Sequence, residues 1–161
     1  MRRGGAELRR ERGIHARAAT VRVEDRSLLA AVPETYMNES GLAARPLVRR
    51  AGLEGALERV VVVHDELDLP VGTIRIKRGG GIAGHNGLRS VQSHLHSPDF
   101  LRVRIGIGRP PGKMAGADYV LRRPSSTERE LLDVAVERAA DAIEAIARRG
   151  VDQAMNEWNQ R

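Results

Sequence analysis

Three segments of the sequence place amide, carboxylate and imidazole side chains between predicted strands and helices. They read YMNESG at 36–41, HDELDLP at 64–70 and GGGIAGHNG at 79–87. Carboxylates and imidazoles can move protons, and side-chain amides can donate hydrogen bonds to a developing oxyanion. The three segments are therefore the candidates for a binding or catalytic site.

The first two segments each allow a functional and a structural interpretation. Asn38 lies between a predicted strand and a predicted helix, where its amide either faces a ligand or caps the helix. Asp65 directly follows the β-branched run at 59–64. A carboxylate at that point can orient a histidine and keep it basic, whereas the alternative is a solvated turn.

The third segment contains the pattern GxGxxG at Gly79, Gly81 and Gly84. A dinucleotide-binding loop would also need an acidic residue about 20 positions on, ending a second strand. The next acid is Asp99, which precedes a strand, so this interpretation is disfavoured. A close-approach loop that brings backbone amides to a phosphate or ester is favoured, with His85 and Asn86 starting the next helix.

Other signatures of catalysis or metal binding are missing from the sequence. It has no GxSxG elbow, no GxxxxGK[ST] loop and no cysteine, which excludes disulfides and cysteine-based zinc sites. His94 and His96 form an HxH pair without a third ligand motif, so we interpret them as surface histidines. We expect neither a metal nor a cofactor.

Composition limits the class of protein. A length of 161 residues suits one domain, 1–161, and 41% hydrophobic with 2% aromatic residues predicts an aliphatic core. The net charge of +6 fits a nucleic-acid partner, or equally an arginine-rich genome bias. The apolar runs are too short to span a membrane, and the N-terminus lacks the apolar core of a secretory signal.

Hydrophobic periodicity predicts an α/β fold with a mixed sheet. Residues 6–12 are expected to end a helix, and the polar EDR at 24–26 to turn a hairpin. On the longest helix, Leu131, Val134 and Ala135 are expected to share the buried face with Leu132, Ile143 and Ile146, before a C-cap at Gly150. The strands are predicted at 16–23, 27–32, 59–64, 73–78 and 101–107, and the helices at 41–51 (with Pro46 at a start or kink), 86–95, 127–149 and 151–158.

Together the segments resemble the bacterial peptidyl-tRNA hydrolase family. TYMNESG at 35–41, HDELDLP at 64–70, GGGIAGHNGL at 79–88 and RVRIGIGRP at 102–110 follow the family's motifs in the family's order. The resemblance runs from about residue 6 to the end. It implies a single α/β domain with a twisted mixed sheet flanked by helices. It also implies a cytoplasmic, monomeric enzyme that hydrolyses the ester between a peptide and the 3′ end of tRNA.

The resemblance also implies roles for individual residues. Asp65 would keep the catalytic histidine basic, and Asn38 and Asn86 would bind the tRNA 3′ end and the peptide backbone near the ester. The remaining implied contacts with the tRNA substrate are those of Tyr36, His85, Lys77 and Arg104, the last two with phosphates. We expect Asn38, Asp65 and Asn86 to converge on one cleft, bordered by the loop at 79–84.

The sequence departs from the family at its beginning. The family opens with a central strand ending in G-L-G-N-P-G, followed by Y-x-x-T-R-H-N-x-G, whose histidine is the catalytic base, and neither motif occurs here. We expect an N-terminally incomplete domain that arises from a start codon assigned too far downstream. The alternative is a catalytically inactive RNA-binding remnant. A smaller departure is Ala83, where the family usually has glycine.

Overall fold

Two small sheets and four α-helices make up residues 5–109, 118, 121 and 123–160, which the computed structural model describes. The chain divides into two compact units, Met1–Val60 with Arg78–Phe100, and Val61–Lys77 with Leu101–Arg161. The strands are β1 (Arg9–Arg10), β2 (Ala16–Val23), β3 (Arg26–Pro33), β4 (Val61–Glu66), β5 (Ile74–Arg78) and β6 (Leu101–Gly106). The helices are α1 (Ser40–Arg50), α2 (Asn86–Leu95), α3 (Ser126–Arg149) and α4 (Val151–Trp158).

The first unit contains the antiparallel sheet β1-β2-β3. Strands β2 and β3 pair from Ala16↔Pro33 to Val23↔Arg26, which confirms the predicted hairpin. The expectation that residues 6–12 end a helix is wrong, because Arg9–Arg10 forms β1 and pairs with β2. By pairing with β2, residues Arg9 and Arg10 satisfy backbone N–H and C=O groups that the end of an isolated helix would leave without partners.

Helices α1 and α2 pack closely in the same unit, and Gly41 makes this possible. A Cβ atom on Gly41 would lie 2.3 Å from both the Ser90 carbonyl oxygen and the His94 Nδ1. The Gly41 backbone N–H donates to the Ser90 Oγ at 2.9 Å, across 49 positions of sequence. Pro46 lies inside α1, not at its start.

The second unit contains the sheet β4-β6-β5, with β6 in the middle. Strand β4 runs parallel to β6 and ends at the pair Glu66↔Gly106. The Gly106 N–H donates to the Thr73 carbonyl at 2.8 Å, and the Gly72 N–H donates to the Gly106 carbonyl at 3.0 Å. These bonds bring the start of β5 to the end of β6, so the two strands are antiparallel. The predicted mixed sheet is confirmed.

The second predicted site segment begins inside a strand, which corrects its placement in a loop. His64, Asp65 and Glu66 are the last three residues of β4. Their backbone pairs with β6, and the Ile107 N–H donates to the Glu66 carbonyl at 3.0 Å. Pairing with β6, and not the local residue types, extends β4 through these three polar residues.

Helix α3 confirms the predicted helix at 127–149, but its buried face differs from the prediction. Leu131 and Val134 are 47% and 58% exposed, and the buried positions are four alanines at helical spacing. Small side chains let the helix approach the sheet closely, and Ile143 and Ile146 pack around their edge. The buried alanines are Ala135, Ala139, Ala142 and Ala145, which pack with Ile74, Ile76, Val103, Ala154 and Trp158.

The ends of α3 and α4 are fixed by specific bonds. Ser125 and Glu128 form a reciprocal capping box at the start of α3, and Gly150 ends the helix as predicted. After α4, the Asn159 side chain accepts from the Ile76 N–H at 2.8 Å and donates to the Ile76 carbonyl at 2.9 Å. Within the described ranges, no helix is both long and apolar enough to cross a membrane.

Candidate active site

Asn38 lies in a short 3-10 turn, Met37–Glu39, that leads into α1. Its side chain is exposed, and it caps neither this turn nor α1, whose N-cap positions are Tyr36 and Glu39. The turn is closed instead by the Ser40 Oγ, which donates to the Met37 carbonyl at 2.7 Å. The capping interpretation of Asn38 is therefore wrong, and its amide is available to a ligand.

Asn86 begins α2 and is also exposed. The preceding residue, His85, is the N-cap: its Nδ1 accepts from the Leu88 N–H at 3.1 Å. An imidazole nitrogen that accepts a hydrogen bond carries no proton, so neutral His85 has its proton on Nε2. His85 can donate a hydrogen bond outward, but its basic nitrogen is occupied by the helix.

The segments that carry the two asparagines pack against each other within the first unit. A Cβ atom on Gly87 would lie 2.6 Å from the Met37 Sδ and 2.9 Å from the His85 Cε1. Glycine at 87 thus allows the turn before α1 to meet the first turn of α2. In the described part of the chain, no side-chain partner is recorded for either Asn38 or Asn86.

The glycine-rich segment between β5 and α2 has the backbone of a turn, with positive φ at Gly79, Gly80 and Gly84. Ala83 also has φ +47°, which glycine adopts more easily. The dinucleotide interpretation is wrong on topology. A dinucleotide-binding loop joins parallel strands of a βαβ unit, whereas β5 is antiparallel to β6, the next strand in the chain.

The charged cluster of the second unit lies at the end of β4. The Glu66 carboxylate accepts from the Arg104 guanidinium at 3.4 Å, with the two side chains only 14% and 25% exposed. Asp68, just beyond the strand, pairs with Arg109. Asp65 is half-buried at the register position of Ile105. This cluster is held together by ion pairs, unlike the asparagines of the first unit.

The hydrogen bonds of three of the five histidines fix which ring nitrogen carries the proton. His64 donates Nδ1–H to the Asp65 carbonyl, and His94 donates Nδ1–H to the Ser90 carbonyl, both at 2.8 Å. His85 uses its basic nitrogen as a helix cap. His15 and His96 are exposed outside the three segments. Among the described residues, no group of three metal-binding side chains occurs.

The two proposed phosphate contacts, Lys77 and Arg104, both belong to the second unit. Lys77 is half-buried on β5 and has no recorded ionic partner among the described residues. Arg102 and Arg104 lie two residues apart on β6 and so share a face. Burial and the nearby Arg104 charge lower the pKa of Arg102. The fourth motif also includes Pro110, which lies outside the described residues.

The predicted site residues thus fall into two groups. Tyr36, which is 81% exposed, lies with Asn38, His85 and Asn86 in the first unit, whereas Asp65, Lys77 and Arg104 lie in the second. Their convergence on one cleft stays a prediction. Sequence reasoning missed Ser90, whose hydroxyl holds Gly41 and thereby the turn beside Asn38. No local signal identifies it, because its partner is 49 residues away.

Comparisons with known proteins agree with the motifs. The family model described as peptidyl-tRNA hydrolase matches residues 1–161. A peptidyl-tRNA hydrolase of Syntrophotalea carbinolica is 46% identical over 159 residues, 98% of this chain and 81% of the relative. A peptidyl-tRNA hydrolase of Rhodococcus erythropolis is 52% identical over 135 residues, which cover 84% of this chain and 70% of the relative. A crystal structure of peptidyl-tRNA hydrolase from Acinetobacter baumannii gives a TM-score of 0.87 at 37% identity, covering 96% of this chain and 78% of that one.

Proposed function

This chain belongs to the peptidyl-tRNA hydrolase family, and from that membership we propose that it releases peptide and free tRNA by hydrolysing the ester of peptidyl-tRNA. The names of its relatives support hydrolysis and not a non-catalytic RNA-binding remnant. The observation that carries the proposal is the pair Asn38 and Asn86. Both amides are exposed, and the segments that hold them pack together through Met37 and Gly87.

The reaction needs a nucleophilic water, a base and donors for the oxyanion. Water attacks the ester carbonyl while the base takes its proton, and the tetrahedral oxyanion then collapses. The 3′ oxygen of tRNA leaves and receives the proton from the protonated base. Side-chain N–H groups of Asn38 and Asn86 are suited to bind the substrate's carbonyl oxygens through this step, since an amide needs no change of protonation to donate.

The base is assigned from the family resemblance, since neither Asp65 nor His85 is suited to the role. Asp65 is a carboxylate and a weak base near neutral pH, and the basic nitrogen of His85 caps α2. We therefore assign the base to the histidine of the family's Y-x-x-T-R-H-N-x-G stretch, with Asp65 as the positioning residue that keeps it basic. In this arrangement Lys77 and Arg104 bind phosphates of the tRNA.

The test compares the 161-residue chain with a chain extended upstream to include that stretch. The extended chain should hydrolyse peptidyl-tRNA about 10²- to 10⁴-fold faster, the usual contribution of a general base. Replacing the added histidine with alanine should remove the gain, whereas His85→Ala in the extended chain should cost much less. Equal rates for the short and extended chains would show that the base lies within these 161 residues.

Two further properties remain predictions of the same proposal, a monomeric state and a cytoplasmic location. A single species of one chain's mass in analytical ultracentrifugation is the expected result for the first. Fractionation of the source cells, with the protein followed by antibody, addresses the second.

A further inference from the structure

The first turn of α1 carries a backbone donor that its own N-cap residue does not satisfy. The first four N–H groups of a helix lack partners within it, and a side chain at the N-cap position usually accepts from one of them. Glu39 holds that position before α1, but its side chain makes no such bond. The N–H of Gly41, the second residue of the helix, is buried and therefore needs an acceptor from another element.

Ser90 supplies that acceptor from α2. Its Oγ accepts from the Gly41 N–H at 2.9 Å, and the Ser90 side chain is itself buried, at 7% exposure. Ser90 thus does for α1 what an N-cap side chain would do, although it lies 49 positions further along the chain. A hydrogen bond constrains direction as well as distance, whereas apolar packing is non-directional. This bond therefore fixes how the start of α1 is oriented on α2.

The contacts on both sides of Asn38 come from one face of α2. Positions 87 and 90 are three residues apart, so they lie on the same face of the helix. Gly87 meets the residue that precedes Asn38, and Ser90 holds Gly41 beyond it. Because Asn86 adjoins Gly87 at the start of α2, this face also determines how the two asparagines are placed relative to each other.

We infer that Ser90 is a positioning residue: by capping α1 from α2, its hydroxyl leaves the Asn38 side chain available to a ligand. Asn38 precedes Gly41 by three residues, the spacing at which an N-cap asparagine accepts from a helix N–H. Without the Ser90 hydroxyl, the Gly41 N–H takes the Asn38 Oδ1 as its acceptor, and the amide turns away from the site. The effect on the rate of hydrolysis rests on the proposed function.

The first test follows the Asn38 side-chain amide of the 161-residue chain by nuclear magnetic resonance. Ser90→Ala should move its N–H₂ signals and strengthen the Overhauser contact between the Asn38 β protons and the Gly41 N–H. Ser93→Ala, at an exposed serine of the same helix, is the matched control and should leave both unchanged. Asn38 signals that stay in place in Ser90→Ala would overturn the inference.

The stability of the variants is measured alongside. Loss of one hydrogen bond should lower the Tm of Ser90→Ala by about 2–4 °C, which leaves the chain folded at the temperature of the experiment. If Ser90→Ala does not fold, Ser90→Cys gives the same comparison, since its thiol keeps the volume but is only a weak acceptor.

The second test uses the upstream-extended chain and separates positioning from general stabilisation. Well below the Tm, Ser90→Ala should lower kcat roughly 10- to 100-fold, less than the loss of an oxyanion donor itself, and Ser90→Thr should restore it. In an Asn38→Ala background, Ser90→Ala should cost no more than about twofold, because it acts through that amide. Equal losses in the two backgrounds would show that Ser90 only supports the fold.

The outcomes separate this inference from the proposed function. If the Asn38 signals move in Ser90→Ala but the extended chain does not hydrolyse peptidyl-tRNA, the positioning by Ser90 stands and the function fails. If the extended chain hydrolyses peptidyl-tRNA while Ser90→Ala and Ser93→Ala have the same Asn38 signals and the same kcat, the function stands and the inference fails.

Discussion

In the first unit, the exposed side chains of Asn38 and Asn86 do not stabilise the structure around them. In the second unit, Glu66 and Arg104 form an ion pair with each other. In the first unit, Gly41 and Gly87 make the close contacts, and the asparagine amides remain exposed. In the second, the charged side chains at the end of β4 are partly buried in an ion pair. Substitution of either asparagine should therefore change substrate binding without changing stability, whereas substitution in the charged cluster should change both.

The largest effect should come from the asparagines, which test the separable side of this comparison. In the upstream-extended chain, Asn38→Ala and Asn86→Ala should each lower kcat about 10²- to 10³-fold, as removal of an oxyanion donor does. The free energy of unfolding should change by no more than about 0.5 kcal/mol, because both side chains are exposed. Asn156→Ala, an exposed asparagine on α4, is the control. A large loss of stability in either variant would contradict the proposed difference between the asparagines of the first unit and the charged cluster of the second.

The glycine of β6 should give the next largest effect, on stability alone. In Gly106→Ala, the new Cβ would lie 2.1 Å from the Pro70 carbonyl oxygen, which is backbone and cannot move aside easily. We expect a loss of about 3 kcal/mol in chemical denaturation, the upper part of the usual range for overpacking.

Gly55→Ala provides the matched control for this substitution, since a Cβ at Gly55 meets nothing within 4 Å. Equal stability of the two alanine variants would mean that β6 and the loop before β5 are not in the close contact described above.

Lys77 has no ionic partner among the described residues, so it tests whether a cation of the second unit behaves like the asparagines of the first. Lys77→Gln should therefore weaken tRNA binding roughly tenfold at low salt and lower the salt slope by about 0.9. Thermal unfolding should change little. A filter-binding series from low to high salt measures both quantities, and an unchanged slope would remove Lys77 from the phosphate contacts.

The effect at His85 should be smaller. Its side chain caps α2 and also belongs to the candidate site. His85→Ala should lower stability by about 1 kcal/mol through loss of the N-cap, and His85→Asp should restore most of it, since aspartate is a strong N-cap. Denaturation of the three chains measures the cap. Activity that returns with aspartate would assign His85 a positioning role, whereas activity lost in both variants would indicate that its Nε2–H contacts substrate.

The smallest effect is expected at Ala83. Ala83→Gly relieves a positive φ but increases the freedom of the unfolded chain, so the two effects nearly cancel and leave roughly a few tenths of a kcal/mol of stabilisation. The same substitution at Ala44, inside α1, should destabilise by about 1 kcal/mol. A destabilised Ala83→Gly chain would contradict the left-handed backbone of that loop.

Local patterns predicted most of the secondary structure, because each signal lies within a few residues. Alternation in ARAATVRV, the second strand SLLAAV and the polar EDR between them predicted the hairpin, and Gly150 marked the end of α3. Two of the strand errors arise from pairing with another strand. Strand β1 is two residues long and exists because β2 accepts it, and β4 continues to Glu66 because β6 lies alongside.

The sequence predicts candidate site residues but not their arrangement. The motifs make Asn38 and Asn86 candidates, and the capping alternative for Asn38 could be rejected only from its exposed position in the 3-10 turn. The buried face of α3 was mispredicted because hydrophobic size suggested Leu131 and Val134. Close approach of helix and sheet favours the alanines instead, and that distance is a tertiary property.

The paired bonds between Asn159 and Ile76 have a consequence for how this chain behaves at high concentration. Strand β5 is one of the two outer strands of its sheet in the described part of the chain, and an outer strand offers backbone N–H and C=O groups to other chains. The Asn159 amide fills one such pair of groups as the backbone of a neighbouring strand would. A single side chain after α4 thus occupies the edge groups of Ile76 and should hinder edge-to-edge association there.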